Sequence, residues 1–461
     1  MKDFFDDSVL LKSDTAENLY NSYAKNQPII DYHCHLSPKE IYENKRFNNI
    51  GELWLAGDHY KWRAMRQNGI DEKLITGDTD YKDKFIAFAS TMEYAAGNPL
   101  YYWSHMELKQ LFGINIPLNA KNAERIWNEA NERMAQGGFS SQELIKRCDV
   151  RVICTTDDPA DDLEYHKLML GKTYAKVLPT FRPDIICYGL NRDDILPYIK
   201  KLGASENTEI NDFAALLTVL KKRLDYFCSL GCKVADHALG YIPPEKGEYE
   251  DAKEVFARVL DGNRIPQKDL DKYTDFMTRF FATLYYKRDM VMQVHMAPLR
   301  NVNSKLFSLV GADSGIDVVG DPIKAVDFAR MLDEINKEAG LPKMVFYCLN
   351  ATVNDMIAAM MGAFSEAVPG KMQLGSAWWF NDHVDGIRAQ LHSLANAGLL
   401  GRFIGMLTDS RSFTSYVRFD FFRRILCSEI GTYIENGEFD PDCGKIIEGI
   451  SYKNAKDYFG F

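Results

Sequence analysis

Eight short apolar runs, each closing on polar or ionisable residues, constrain this chain more than any other feature. They span residues 28–35, 149–158, 175–182, 231–238, 289–296, 343–350, 371–380 and 403–411. Runs this rich in Val, Ile, Leu and Met read as strands buried on both faces, the condition of a parallel sheet covered by helices. A parallel neighbour needs a crossover, and 211–230, 270–286, 323–339, 353–364 and 384–397 have the length and period for one. Eight such units predict an α/β fold, a (β/α)8 TIM barrel. An open doubly wound sheet is the alternative, weakened because no GxGxxG loop follows any run.

The first connection breaks the rhythm. Between Leu36 and Cys148 the patterns are helical, around 39–42, 82–96, 100–112 and 120–134, so a helical insertion after the first barrel strand is expected. The expected division is 1–36 for the N-terminal segment and first strand, 37–148 for the insertion, 149–436 for the rest of the barrel and 437–461 for a C-terminal helical tail. A barrel needs ~250 residues, so the insertion and enlarged loops absorb most of the excess in a 461-residue chain.

Net charge is −10 with no concentrated basic stripe, which argues against a nucleic-acid partner. The acidic start, Met1-Lys-Asp-Phe-Phe-Asp-Asp, is unlike a signal peptide, and no run approaches the ~20 apolar residues of a membrane span. Nine scattered cysteines without a CxxC fit reduced thiols, so a cytoplasmic protein is expected, and by base rate a homo-oligomer.

Active sites of barrels lie at the C-terminal ends of the strands. There the sequence places His33, His35, Arg182, Asp236 with His237, His295, Trp378, Trp379, Asp409 and Arg411. Alternation puts His33 and His35 on one face, where two imidazoles suit a divalent metal, with Asp409 from the adjoining eighth strand as third ligand. Zinc is the first candidate. Arg182, Arg411 and Arg300 are suited to capturing carboxylates, which predicts an anionic substrate in a locally cationic pocket. In the insertion, His59 and Tyr60 stand beside Lys61 and Arg63; cations nearby lower a phenol pKa, which could make Tyr60 a proton acceptor. Pattern alone favours an amphipathic helix with Tyr60 and Trp62 buried, and Trp103 and His105 read as insertion core.

These residues fall in longer motifs: Asp31-Tyr-His-Cys-His-Leu36, Asp58-His-Tyr-Lys-Trp-Arg-Ala-Met-Arg66, Leu178-Pro-Thr-Phe-Arg-Pro-Asp184, Asp236-His237 and Met406-Leu-Thr-Asp-Ser-Arg-Ser412. Together they resemble the uronate isomerases (glucuronate isomerase), a branch of the amidohydrolase superfamily, along essentially the whole chain. The resemblance implies a distorted barrel and interconversion of D-glucuronate with D-fructuronate and of D-galacturonate with D-tagaturonate through a cis-enediol. It implies at most one metal, on His33, His35 and Asp409, not necessarily required for isomerisation. It further implies Tyr60 at the C2 proton with His59 beside it, Asp409 or His33 in ring opening, and Arg182 and Arg411 on the enediolate charge. His295, Arg300, Asp236 and Trp379 would surround the sugar hydroxyls and carboxylate. The competing readings are a metal-dependent hydrolase of the same superfamily and a non-catalytic sugar-acid binding protein.

Overall fold

The structure is a computed structural model that describes residues 2–461. Seven of the eight runs form parallel strands: β1 (Ile29–Asp31), β2 (Val150–Cys154), β3 (Lys176–Leu178, continuing as Thr180–Phe181), β4 (Val234–Leu239), β5 (Val291–Met296), β6 (Lys343–Cys348) and β7 (Met372–Leu374). β1 pairs with β2 and β2 with the first part of β3; the second part pairs with β4, followed by β5, β6 and β7 in order. Pro179, which has no N–H to give a ladder, divides β3. The two parts stay in line because Asp157 N–H donates to Thr180 O at 3.1 Å and Arg182 N–H to Asp157 O at 3.0 Å.

The eighth run forms no regular ladder, contrary to the expectation of eight strands. Gly405 and Asp409 adopt positive φ (82° and 46°), which breaks extended geometry, and a Cβ at Gly405 would lie 2.3 Å from the Ile450 carbonyl. The segment still fills the eighth position. Asp409 N–H donates to His33 O at 3.2 Å and His35 N–H to Ser410 O at 3.0 Å, while Gln373 Nε2 reaches Arg402 O at 3.0 Å from β7. The result is a distorted (β/α)8 barrel.

Inside it, Tyr347 Oη donates to Gln293 Oε1 (2.6 Å), Gln293 Nε2 to Tyr32 O (3.0 Å) and Tyr32 Oη to Gly405 O (2.6 Å). This buried chain ties β6, β5, the end of β1 and the eighth segment below the mouth. Satisfied polar networks of this kind fix one arrangement of a core.

The β1–β2 connection is helical, and two of its helices matter for the mouth: α1 (His59–Gln67) and α2 (Pro99–Phe112), which packs on α3 (Val417–Glu435), the long helix after the eighth segment. Trp103 and His105 are buried in α2 as expected; His105 Nδ1 faces Tyr101 O at 2.7 Å and Nε2 accepts from Leu118 N–H at 2.8 Å. The loop after β5 carries a two-stranded ribbon, Pro298–Leu299 with Val318–Val319, and folds over α1. Arg63 Nη1 donates to the carbonyls of Gly315 (3.1 Å) and Asp317 (2.7 Å), and Arg66 donates to that of Ser314. The crossing is close: Gly315 sits at φ 86°, and a Cβ there would lie 2.7 Å from the His59 carbonyl. No helix among the described residues is long and apolar enough to cross a membrane.

Candidate active site

A cavity of about 350 Å³ opens at the C-terminal ends of the strands. His33, His35, His59, Arg182, His295, Arg300, Trp378, Trp379, Asp409 and Arg411 all line it, joined by Asp184 and Asp313, which sequence reasoning had not placed among the site residues. Tyr60 and Asp236 are not part of the lining.

Asp409 organises the centre. Its Oδ1 lies 3.2 Å from both His33 Nε2 and His35 Nε2, and its Oδ2 accepts from Trp378 Nε1–H at 2.7 Å. Burial opposes its charge, but the two imidazoles hold the carboxyl well below its ordinary value. Trp379 shares with Asp409 the left-handed backbone, at φ 53°, and such strained residues cluster at functional sites. His33 is held above the ordinary imidazole value: burial opposes its charge, while Asp236 and then Asp409 favour it. Burial pushes His35 down to about 4 despite Asp409.

The ligand atoms of His33, His35 and Asp409 lie within 4.8 Å of one another, a two-imidazole, one-carboxylate set that fits a divalent cation with coordination left for substrate. His33, Asp236 and His295 form a second such group. It fits a cation less well, because Arg182 Nη1 stands 3.1 Å from Asp236 Oδ2 and His295 Nδ1 2.6 Å from Oδ1.

Asp236 is fully buried beneath the cavity, where it anchors Arg182 and His295. Arg182, and then His295, hold it far below its usual range against the cost of burial. Arg182 is gripped a second time, its Nε donating to Asp184 Oδ2 at 2.7 Å. The Arg-x-Asp spacing in Leu178–Asp184 was the available signal for that partner. His237, next along β4, points the other way: Tyr188 Oη meets its Nδ1 at 2.7 Å and Tyr285 Oη its Nε2 at 2.9 Å, so it belongs to the helix-facing core. Strand alternation allows only one of the two neighbours to face inward.

His295 stacks on Tyr347 (4.4 Å, 9°) and meets Trp378 at 4.6 Å. Arg300 lies 5.0 Å over the Trp379 ring and donates to Asp317 at 2.8 Å; Arg411 donates to Asp313 at 3.0 Å.

From the insertion, Asp58 caps α1, accepting from the backbone N–H of Tyr60 (3.0 Å) and Lys61 (3.2 Å) and pairing with Lys61 Nζ at 2.8 Å. A cap of this kind is worth about 1 kcal/mol and fixes the first turn, which carries His59 and Tyr60. Their rings stack at 4.9 Å, with His59 at the cavity and Tyr60 behind it. The phenol pKa is not lowered. Burial, reinforced by Asp409, pushes it well above 10, outweighing the nearby Arg418. The expected cationic pocket is also corrected: three arginines in the lining face six aspartates. Burial raises three of those carboxyls, Asp157 to about 7 and Asp158 and Asp184 above their usual value, which lessens their charge.

A family model described as glucuronate isomerase matches residues 1–459. The uronate isomerase of Caldanaerobacter subterraneus subsp. tengcongensis is 49% identical over 468 aligned positions, covering 100% of both chains. That of Caldicellulosiruptor saccharolyticus is 47% identical with the same coverage. The crystal structure of uronate isomerase from Thermotoga maritima superposes with a TM-score of 0.94 at 31% identity, over 99% of this chain and 100% of that one.

Proposed function

The chain belongs to the glucuronate isomerase family, and from that premise we propose that the cavity at the strand ends interconverts aldose and ketose uronates, D-glucuronate with D-fructuronate and D-galacturonate with D-tagaturonate. The observation that carries the reading is the convergence of His33, His35 and Asp409 with Arg182, His295 and Arg411 in a single cavity, with Tyr60 stacked behind His59.

Isomerisation moves a proton between C2 and C1. The C2–H bond breaks toward a base, its electron pair forms the C1=C2 bond of a cis-enediol, and the former carbonyl oxygen gains a proton; in the second half the C2 hydroxyl loses its proton, C2=O forms, and the electron pair of the C1=C2 bond takes a proton at C1. Tyr60, which does not join the lining but whose phenol lies near enough to feel the charge of Asp409 at its centre, exchanges the C2 proton. Its high proton affinity stores it as a phenol and makes the phenolate a strong base for a carbon acid. Asp409 or His33 moves the proton that opens the pyranose ring, one as the ionised carboxylate and the other as the imidazole held above its usual pKa. Arg182, fixed between Asp184 and Asp236, and Arg411 face the enediolate oxygens, where preorganised positive charge lowers the barrier most. Arg300 over Trp379 and His295 over Tyr347 position the carboxylate and hydroxyls. A divalent cation, zinc first, held by His33, His35 and Asp409 would act as a Lewis acid on adjacent substrate oxygens.

The test is incubation of purified protein with each aldose uronate while the 2-keto acid is followed; absence of turnover with both refutes the reading. We also propose a cytoplasmic location, since all nine cysteines are free thiols. Homo-oligomerisation is proposed as well. Its support is that Leu299, Val302, Phe307, Leu309 and Val319, all in the loop after β5, are exposed apolar side chains. Sedimentation at the mass of a single chain refutes it.

A further inference from the structure

Behind Tyr60, outside the cavity lining, one guanidinium joins the elements that carry Tyr60 and Asp409. Arg418 lies in the first turn of α3 and is 2% exposed. Its guanidinium stands 3.8 Å from the centre of the Trp103 ring and 5.4 Å from that of Tyr60, and the two rings meet edge-on at 6.2 Å. Nη1 donates to the Thr408 carbonyl at 3.2 Å, one residue before Asp409, and Nε has no partner.

A buried guanidinium is ordinarily matched by a carboxylate in direct contact, because an unpaired buried charge is costly. Two neighbouring carboxylates are engaged elsewhere, Asp58 with Lys61 at 2.8 Å and Glu107 with Thr414 Oγ1 at 2.7 Å, while the third, buried Asp382, feels the charge of Arg418 without direct contact. Among the described residues Arg418 makes no ion pair, and its charge is presented to two aromatic faces. Cation–π attraction offsets only part of that cost. A charge kept under such conditions, between the two residues proposed to move protons, calls for a use.

We infer that Arg418 is a positioning residue for the isomerisation: it holds the Tyr60 ring against the mouth and keeps positive charge opposite the phenolate formed when Tyr60 takes the C2 proton. The inference rests on Tyr60 exchanging that proton. Asp409, Asp382 and Asp58 all face the same phenol and disfavour its ionisation; Arg418 is the cation that acts against them. Through Thr408 the same side chain fixes the backbone leading into Asp409, so one group sets the distance between both proton-moving residues.

The test compares kcat and KM for D-glucuronate in wild type, R418M, R418K, Y60F and the two double variants. R418M is expected to lower kcat on the order of 10- to 100-fold, the effect of misplacing a reacting group. KM should stay within about 3-fold, because Arg418 makes no contact with the cavity. R418K, which retains charge without the planar stack, should recover part of the loss. In the Y60F background R418M should cost nothing further, since the residue it serves is gone.

A loss that multiplies in the double variant, or that falls on KM, makes Arg418 structural and overturns the inference. Wild-type kcat in R418M with an impaired Y60F overturns it alone; wild-type kcat in Y60F overturns the Tyr60 reading and this inference together. If R418M does not fold, the R418K/Y60F cycle reads the same coupling. If Y60F has no measurable turnover, the kcat-against-KM split and the R418K recovery decide.

Discussion

Asp409→Asn separates chemistry from architecture at this site. Asn is close to isosteric and, unlike Ala, tolerates the left-handed backbone at φ 46°. It can still accept the Trp378 Nε1–H bond. What it removes is the negative charge 3.2 Å from two imidazole nitrogens. Of these, His35 is neutral at pH 7, with its pKa near 4, whereas His33 is held above its ordinary value, and Asp409 is one of the two carboxylates that hold it there. In the variant His33 keeps Asp236, the carboxylate that favours its charge most, so no buried charge is left unpaired. The stability cost is therefore about 1 kcal/mol at pH 8, far short of the roughly 3–5 kcal/mol of a buried charge left unpaired. For a chain of 461 residues the unfolding entropy is about 1 kcal/mol per kelvin, so Tm should fall by only about 1–2 °C. Turnover should fall at least ~10³-fold, within the range of a lost general acid–base group, and bound metal should fall with it. Uronate turnover, metal content by emission spectroscopy and a thermal scan at pH 8 test all three. Turnover within about 10-fold of wild type, with the fold intact, would remove Asp409 from the mechanism and refute the reasoning.

Three further outcomes are expected. Asp236→Asn strips the anchor from Arg182 and His295 and cannot accept from both as a carboxylate does; a loss of about 3 kcal/mol, or about 3 °C in Tm, should accompany reduced kcat, and an unchanged Tm sinks the anchoring role. Gly315→Ala places a methyl 2.7 Å from the His59 carbonyl on an unfavourable φ, so it should displace the loop bearing Arg300 and raise KM for the uronate several-fold, about 3–10-fold by loss of a positioning contact; a wild-type KM means that the loop is not set by this crossing. Finally, acid should destabilise the fold through two sets of groups. Asp236 and Asp409 have folded pKa values below the unfolded one, so their contribution is present above about pH 4 and is lost as pH falls through the folded values. His237 and His105, pushed to about 3 and about 4, take up protons first in the unfolded chain, so their contribution falls as pH drops from about 6.5 toward those values. Buried Asp31 and Asp382, raised to about 7, act in the opposite sense from about pH 4 to 7. The steep loss is therefore expected below about pH 4, and denaturant midpoints from pH 3 to 8 measure it.

Much of this was legible before the fold was known, for reasons that can be named. Apolar runs buried on both faces mark barrel strands, and the barrel rule converts their ends into a list of residues sharing a mouth, which is how His33, Arg182, His295 and Asp409 were found. The rule does not say which of two neighbours faces inward, so Asp236 and His237 stood together until alternation divided them. Nor does it see depth: Asp236 lies under the cavity and Tyr60 behind His59. Arg418 was invisible because its helix, Arg418-Phe-Asp420-Phe-Phe-Arg423-Arg424, reads as alternating surface charge, whereas both its charged and aromatic sides are buried. The eighth run failed as a ladder for a local reason, the left-handed residues at 405 and 409, that composition alone does not reveal.

The joining of the first strand to the eighth segment has a consequence for synthesis. Asp31, buried, accepts from both the N–H and the hydroxyl of Thr408, 377 positions later, and His33 waits for Asp409 over a similar span. At about 5–20 residues per second, the ribosome leaves that edge of β1 open for roughly 20–75 s after it emerges. An open edge with a buried carboxylate is a poor template for aggregation, since charge placed inward on an exposed strand discourages wrong pairing. Asp31 thus guards the nascent edge until the last part of the barrel arrives to claim it.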